Sequence, residues 1–277
     1  MREFQHTVTT ADGVKLFVRE SLPAAAVATR SLLFVHGACE HGGRYAELSR
    51  AATNAGWRVL IPDQRGHGQS TGQRVFIRHF DQYLDDLRLL CRHFSLDPLR
   101  TAIVGHSLGG LVVARLLQTP GDLAVAACLL SPYMGLQIKV DRFTLMLGKI
   151  LERVWPTYRF RSRVKSADLA RNPEYLERRR LDPLIQRFVT ARWFFAVQHA
   201  VRQAHADARL LRIPVLVLQG EQDHIVNPQA TRDWLKRVGS TDRTLHMLPE
   251  HLHELLQETD REDTTRFVLD WLDERVR

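Results

Sequence analysis

The chain has 277 residues, 44% hydrophobic and 25% charged, and its 39 Lys and Arg exceed 31 Asp and Glu for a net charge of +8. Such proportions belong to an ordinary globular chain and exclude a disordered or low-complexity one, and no apolar run approaches the about 20 residues of a membrane span. Three widely spaced cysteines, Cys39, Cys91 and Cys128, form neither a disulfide framework nor a zinc spacing and point to a reducing, cytoplasmic setting, and residues 1–6 contain no apolar signal segment.

Residues 4–20 alternate apolar and polar around Ala11-Asp12-Gly13, which predicts a β-hairpin with an Asp-Gly turn. Ser31–Val35 is a short continuous apolar run, the pattern of a parallel strand buried on both faces. The loop His36–Tyr45 follows, then a helix to about Ala55 and a strand Trp57–Ile61 stopped by Pro62. After the glycine-punctuated loop Asp63–Gly72, Phe80, Tyr83, Leu84, Leu87 and Leu90 have helical spacing within a helix expected over 76–94. A strand over Ala102–Val104, a helix from Leu111 to about Gln118 and a strand Ala124–Leu130 complete this half. Residues 133–209 contain no strand pattern, only Arg-rich amphipathic segments interrupted by Pro156, Pro173 and Pro183. Alternation resumes with a strand Ile213–Leu218, a helix Pro228–Val238, a strand Thr244–Leu248 and a helix from about 264 to 274. The expected fold is therefore α/β, a mostly parallel sheet covered by helices on both faces. A core of 1–132 and 210–277 carries a helical cap, 133–209, inserted after the sixth strand. Right-handed crossovers then gather the strands' C-terminal ends on one rim, where ligands bind.

The chemistry centres on Gly105-His106-Ser107-Leu108-Gly109, a G-x-S-x-G sequence between an apolar strand and an apolar helix. A serine on so sharp a turn needs neighbours without side chains, and the turn lifts its hydroxyl to a helix N-terminus, where negative charge is favoured. The loop His36-Gly37-Ala38 can donate the Ala38 N–H, which with the Leu108 N–H makes a two-donor oxyanion hole. Asp223 follows the strand ending at Leu218 and is preferred to Glu221 as the acid because it lies further into the loop. His251 and His253, beyond the last strand, are equal candidates for the base by pattern. The order Ser, Asp, His is that of α/β-hydrolases. An H-x-H pair without a third ligand makes no metal site, and no cofactor is expected.

His36-Gly37-Ala38-Cys39-Glu40-His41-Gly42-Gly43-Arg44-Tyr45, Asp63-Gln64-Arg65-Gly66-His67-Gly68-Gln69-Ser70, Gly105–Gly110 and Leu130-Ser131-Pro132 resemble the α/β-hydrolase family of monoacylglycerol lipases and lysophospholipases, the serine-aminopeptidase-like group, over nearly the whole chain. The H-G-x-x-E-H-x-x-R-Y form is the most specific. The resemblance implies Ser107 as nucleophile, Asp223 as acid, and Ala38 and Leu108 as oxyanion donors. It selects His253 as base, because the family's histidine is followed by Glu and an apolar residue, as in His253-Glu254-Leu255. It also places Glu40 and Arg44 on the polar, substrate-binding side of the pocket. Cys39 and Glu250-His251 depart from the commoner family residues. The implied activity is hydrolysis of a monoacylglycerol or lysophospholipid ester. A proline-iminopeptidase-type aminopeptidase lacks support, since H-G-G-P-G is absent, and an intact triad argues against a non-catalytic ligand-binding protein.

Residues 131–210 contain 16 Lys and Arg and 7 Asp and Glu, so the whole excess of positive charge lies in the expected cap, interleaved with Phe143, Leu147, Ile150 and Trp155. Basic residues among large apolar ones suit peripheral contact with an anionic lipid surface, with Arg178, Arg179 and Arg180 as contributing cations. No nucleic-acid recognition motif accompanies the charge.

Overall fold

A computed structural model describes residues 1–24 and 28–277. In chain order the strands are β1 (Arg2–Thr9), β2 (Lys15–Leu22), β3 (Arg30–Val35), β4 (Trp57–Pro62), β5 (Thr101–His106), β6 (Ala126–Leu130), β7 (Arg159–Arg161), β8 (Phe188–Thr190), β9 (Val215–Gly220) and β10 (Arg243–Leu248). The helices are α1 (Ala46–Asn54), α2 (Asp81–His93), α3 (Leu108–Leu117), α4 (Arg142–Val154), α5 (Pro173–Leu181), α6 (Ala191–Ala206), α7 (Pro228–Leu235) and α8 (Arg261–Asp273). Eight strands form one sheet in the order β1-β2-β4-β3-β5-β6-β9-β10. The hairpin β1–β2 is antiparallel, β2 runs antiparallel to β4, and all other neighbours are parallel.

The period-2 geometry of the central strands divides the core into two layers. Leu33, Val35, Ile103, Ala127, Leu129 and Val217 face one way and pack with side chains of α2, α3, α6 and α7. Leu32, Phe34, Val104, Cys128, Leu130 and Leu218 face the other way, against α1 and α8. Every residue of β5, β6 and β9 is buried, which is why these strands read as continuous apolar runs.

From β3 the chain crosses to β4 on one side, and from β5 to β6 on the other. The loops leaving β3 and β5 therefore diverge and open a crevice at the carboxyl rim, the switch point of a doubly wound sheet. The elements between β6 and β9 lie over this crevice, with α6 packed on α3 and α4 packed on α6.

Two differences from the sequence reading have physical causes. Residues 133–209 contain a strand pair, with β7 and β8 antiparallel and Arg159 opposite Thr190. Each strand has three residues, too few for alternation to register, and the partner is distant in sequence. The helix expected from Phe76 begins at Asp81. Val75 adopts φ 48° and its amide bonds the Gly66 carbonyl at 3.2 Å, so Val75 and Ile77 enter the core from an irregular segment.

Candidate active site

Ser107 sits between β5 and α3 with φ 52° and ψ −114°, outside the helical and extended regions. Its amide donates to the Leu130 carbonyl at 2.9 Å and its carbonyl accepts from Tyr133 at 3.0 Å, so neighbouring strand ends hold the strained turn. A Cβ on Gly109 would come within 2.0 Å of the Val35 carbonyl oxygen, and one on Gly105 within 2.5 Å of the Gly109 carbonyl oxygen. The motif's glycines are required by close approach: α3 starts directly against the ends of β3 and β5.

The hydroxyl of Ser107 donates to His253 Nε2 at 2.9 Å, and His253 Nδ1 donates to Asp223 Oδ2 at 2.7 Å. All three side chains are buried. Asp223 caps the turn after β9, with Oδ1 accepting from the Ile225 and Val226 amides at 2.8 and 3.0 Å. Burial opposes its charge, but His253 and these two amides prevail and hold its carboxyl below the ordinary value. Burial likewise opposes charge on His253, and Asp223 overcomes it, so the imidazole titrates above the ordinary histidine value. The competing residues point elsewhere. Glu221 lies 3.1 Å from Arg232 at the surface, and His251 Nε2 lies 2.9 Å from Asp260 Oδ1.

Ala38 and Leu108 line the same cavity as Ser107. Among the described residues neither amide has a hydrogen-bond acceptor. The loop carrying Ala38 is tethered through the buried His36, whose Nδ1 donates to the Gly37 carbonyl at 2.7 Å and whose Nε2 accepts from the Gln64 amide at 2.9 Å. Burial lowers the pKa of His36, which fits that neutral tautomer.

Glu40 and Arg44 also line the cavity, but their polar atoms are engaged within the protein. Glu40 accepts from the Gly37 amide at 2.5 Å, the Tyr45 hydroxyl at 2.7 Å and Arg44, and His106 Nδ1 lies 3.1 Å away. Arg44 also donates to Glu254 at 2.7 Å and to the Tyr175 hydroxyl, which in turn donates to Glu254. His106 Nε2 donates to the His253 carbonyl at 3.3 Å. This network anchors the histidine loop from both sides. Burial opposes the charge on Glu40, yet Arg44 and His106 keep its carboxyl well below the usual range. Tyr175 and Glu254 were not singled out from the sequence as polar partners; the Glu after the histidine was their one visible signal. One arginine between two buried carboxylates sets a sharp expectation. Arg44→Met strands both charges and should cost about 3–5 kcal/mol in urea unfolding, and a loss below about 1 kcal/mol would show that the network is not stabilising.

Beyond these polar groups the cavity wall is largely apolar, formed by Tyr133, Leu145, Phe160, Val189, Phe194 and others, with Arg161, Arg163, Arg179 and Gln186 also lining it. Cys39 is buried at the polar end, and burial pushes its thiol up to about 12 against the pull of Arg179.

A family model described as serine aminopeptidase, S33, matches residues 27–260. The chain belongs to this family. It is 30% identical over 264 residues to human monoglyceride lipase, covering 93% of this chain and 85% of that protein. It is 28% identical over 247 residues to phospholipase YtpA of Bacillus subtilis, covering 88% of this chain and 95% of that protein. Among solved structures, the monoacylglycerol lipase of Paleococcus ferrophilus superposes with a TM-score of 0.85 at 25% identity, over 99% of this chain and 100% of that one. The chain is thus an α/β-hydrolase in fold as well as in family.

Proposed function

We propose that this α/β-hydrolase cleaves the ester bond of single-chain lipid esters, monoacylglycerols or lysophospholipids, through an acyl-enzyme on Ser107. The observation that carries the reading is the continuous hydrogen-bonded chain Ser107–His253–Asp223 at the polar end of an apolar cavity. Ser107 Oγ attacks the ester carbonyl while His253 Nε2 takes its proton. The carbonyl oxygen becomes an oxyanion held by the Ala38 and Leu108 amides, a contribution of about 3–4 kcal/mol per donor. Collapse breaks the carbon–oxygen bond, and His253 returns the proton to the leaving alcohol. Water, deprotonated by His253, then releases the fatty acid and restores Ser107. The acyl chain fits the apolar wall, and residues 133–209 act as a lid over it.

An aminopeptidase reading needs a carboxylate to receive the substrate's ammonium. Glu40 and Glu254 at the polar end share Arg44 instead, which favours ester over aminopeptide. A fluorophosphonate probe followed by a panel of p-nitrophenyl esters, monoacylglycerols and lysophospholipids tests the reading. Failure to label Ser107, or labelling without turnover of any of these esters, would overturn it and leave the non-catalytic binding protein.

The same reading extends to a lipid surface. Among the described residues no helix is long and apolar enough to cross a membrane. On α4, however, Phe143, Met146, Ile150 and Val154 are 70%, 57%, 54% and 73% exposed, while Leu145 and Gly148 face the cavity. A helix with an outward apolar stripe beside the access to an apolar cavity, on a segment with excess positive charge, suits an anionic bilayer surface. The three cysteines are buried and unpaired, which supports a reducing, cytoplasmic setting. Vesicles containing anionic lipid should bind the protein at low salt and release it as salt rises. The double variant Phe143→Glu, Ile150→Glu should weaken that binding about tenfold or more while hydrolysis of a soluble short-chain ester is unchanged. Binding indifferent to both salt and the double variant would remove the surface from the proposal.

A further inference from the structure

The three consecutive arginines of α5 do not form one patch. Arg178 lies 4.0 Å from Glu174 and Arg180 lies 2.7 Å from Glu177, both pairs exposed. Successive helical residues are about 100° apart, and Arg179 turns inward. It lines the cavity that holds Ser107, beside Cys39 and Glu40, and it also borders an outer groove between α1, α5 and α8. Its Nε is buried and among the described residues has no hydrogen-bond partner.

Nearby carboxylates are already engaged. Glu40 and Glu254 share Arg44. Asp182, one turn further on, faces His41 at 2.7 Å and the Leu184 amide at 2.9 Å. Arg179 is thus a guanidinium on the wall between the reacting serine and the groove, with nothing negative in the protein assigned to it. A phosphate matches that vacancy in charge and in its capacity for paired N–H···O bonds. Most of the remaining lining is apolar, with Tyr133, Leu145, Phe160 and Phe194 to receive the acyl chain, although Arg161 and Arg163 also reach the cavity.

We propose that Arg179 binds the phosphate of the substrate's leaving group, so that the site prefers phosphate-bearing single-chain esters over neutral monoacylglycerols. The assignment rests on the ester-hydrolase reading of Ser107. The acyl group is the part transferred to Ser107, and the glycerol phosphate is the part that departs past Arg179 towards the groove.

The test compares 1-hexanoylglycerol 3-phosphate with 1-hexanoylglycerol, at concentrations where both are monomeric and lipid-surface binding plays no part. The native protein should favour the phosphate ester in kcat/KM. Arg179→Gln should lose about 10–100-fold on that ester, chiefly in KM, which is the worth of a charge-assisted hydrogen bond. The neutral ester should change by less than about threefold, and Arg179→Lys should retain part of the preference. Hexyl phosphate should inhibit the native protein more strongly than hexanol, a result that does not depend on any variant folding. Equal losses on both esters, an unaltered preference in Arg179→Gln, or equal inhibition by hexyl phosphate and hexanol would each overturn the assignment. Fluorophosphonate labelling of Ser107 without phosphate preference removes Arg179's role alone, whereas absence of labelling removes the ester-hydrolase reading beneath it.

Discussion

Ser107→Ala should lower kcat for ester hydrolysis by about 10⁴–10⁶ and leave the fold intact. Alanine keeps the Cβ that already tolerates φ 52°, and the amide and carbonyl bonds to Leu130 and Tyr133 do not involve the hydroxyl. Thermal unfolding should therefore be nearly unchanged while turnover disappears. His253→Ala should be as damaging, because without the imidazole 2.9 Å from the hydroxyl nothing removes the proton from Ser107. The double variant should be no worse than either single one, since residues that act on one proton are not additive. His251→Ala is the control. Its ring faces Asp260, and its loss should leave kcat within a few-fold of the native value. Steady-state kinetics on one soluble ester decide all four. Near-normal turnover in Ser107→Ala, or a His251→Ala defect larger than that of His253→Ala, would overturn the assignment of nucleophile and base.

The geometry of the candidate site was legible in the sequence where it is local. Ser107 is bracketed by glycines because a strand, a turn and a helix meet within six residues, and the clashes that exclude side chains at 105 and 109 come from adjacent elements. The histidine was different. Two imidazoles two residues apart have equal claims by pattern, and only the resemblance separated them through Glu254. The structure supplies a physical content for that signal: Glu254 accepts from Arg44 and Tyr175, while Leu255 is fully buried. The sheet was readable because buried strands are short apolar runs.

The inserted segment was less readable, since its pairings reach across the chain. β7 ends at Arg161 and its partner β8 begins 27 positions later at Phe188, and Tyr175 meets a carboxylate 79 positions away. The run Arg178-Arg179-Arg180 reads as one cluster by composition, but helical rotation sends its middle member to a different environment from its neighbours. Charge counted along a sequence does not say which way a helix turns it.

Asp223→Asn tests the remaining member of the proposed triad through two readouts. Asp223 Oδ2 accepts from His253 Nδ1 at 2.7 Å and from Gln219 Nε2 at 3.0 Å, while Oδ1 accepts the Ile225 and Val226 amides. The amide oxygen of asparagine satisfies the two backbone donors, so its NH₂ group is left facing the imidazole. A donor there favours the tautomer with its proton on Nε2, where it meets Ser107 and cannot accept. kcat should fall by about 10⁴ with the fold retained. The pH profile gives the second readout. In the native protein the carboxylate raises the His253 pKa above the ordinary histidine value against the effect of burial. The base works only when neutral, so kcat/KM should fall on acidification through a midpoint above that of an ordinary histidine, the free-enzyme value that this ratio reports. Without the carboxylate burial is the leading influence and disfavours the cation, opposed by the smaller effects of Glu254 and Glu40. The residual activity of Asp223→Asn should therefore persist to lower pH than that of the native protein, even though its plateau is far lower. The rate of fluorophosphonate labelling of Ser107 against pH should follow the same two curves, because it depends on the same proton transfer. An acid limb that stays in place in Asp223→Asn, or one that moves to higher pH, would show that Asp223 does not set the charge state of His253.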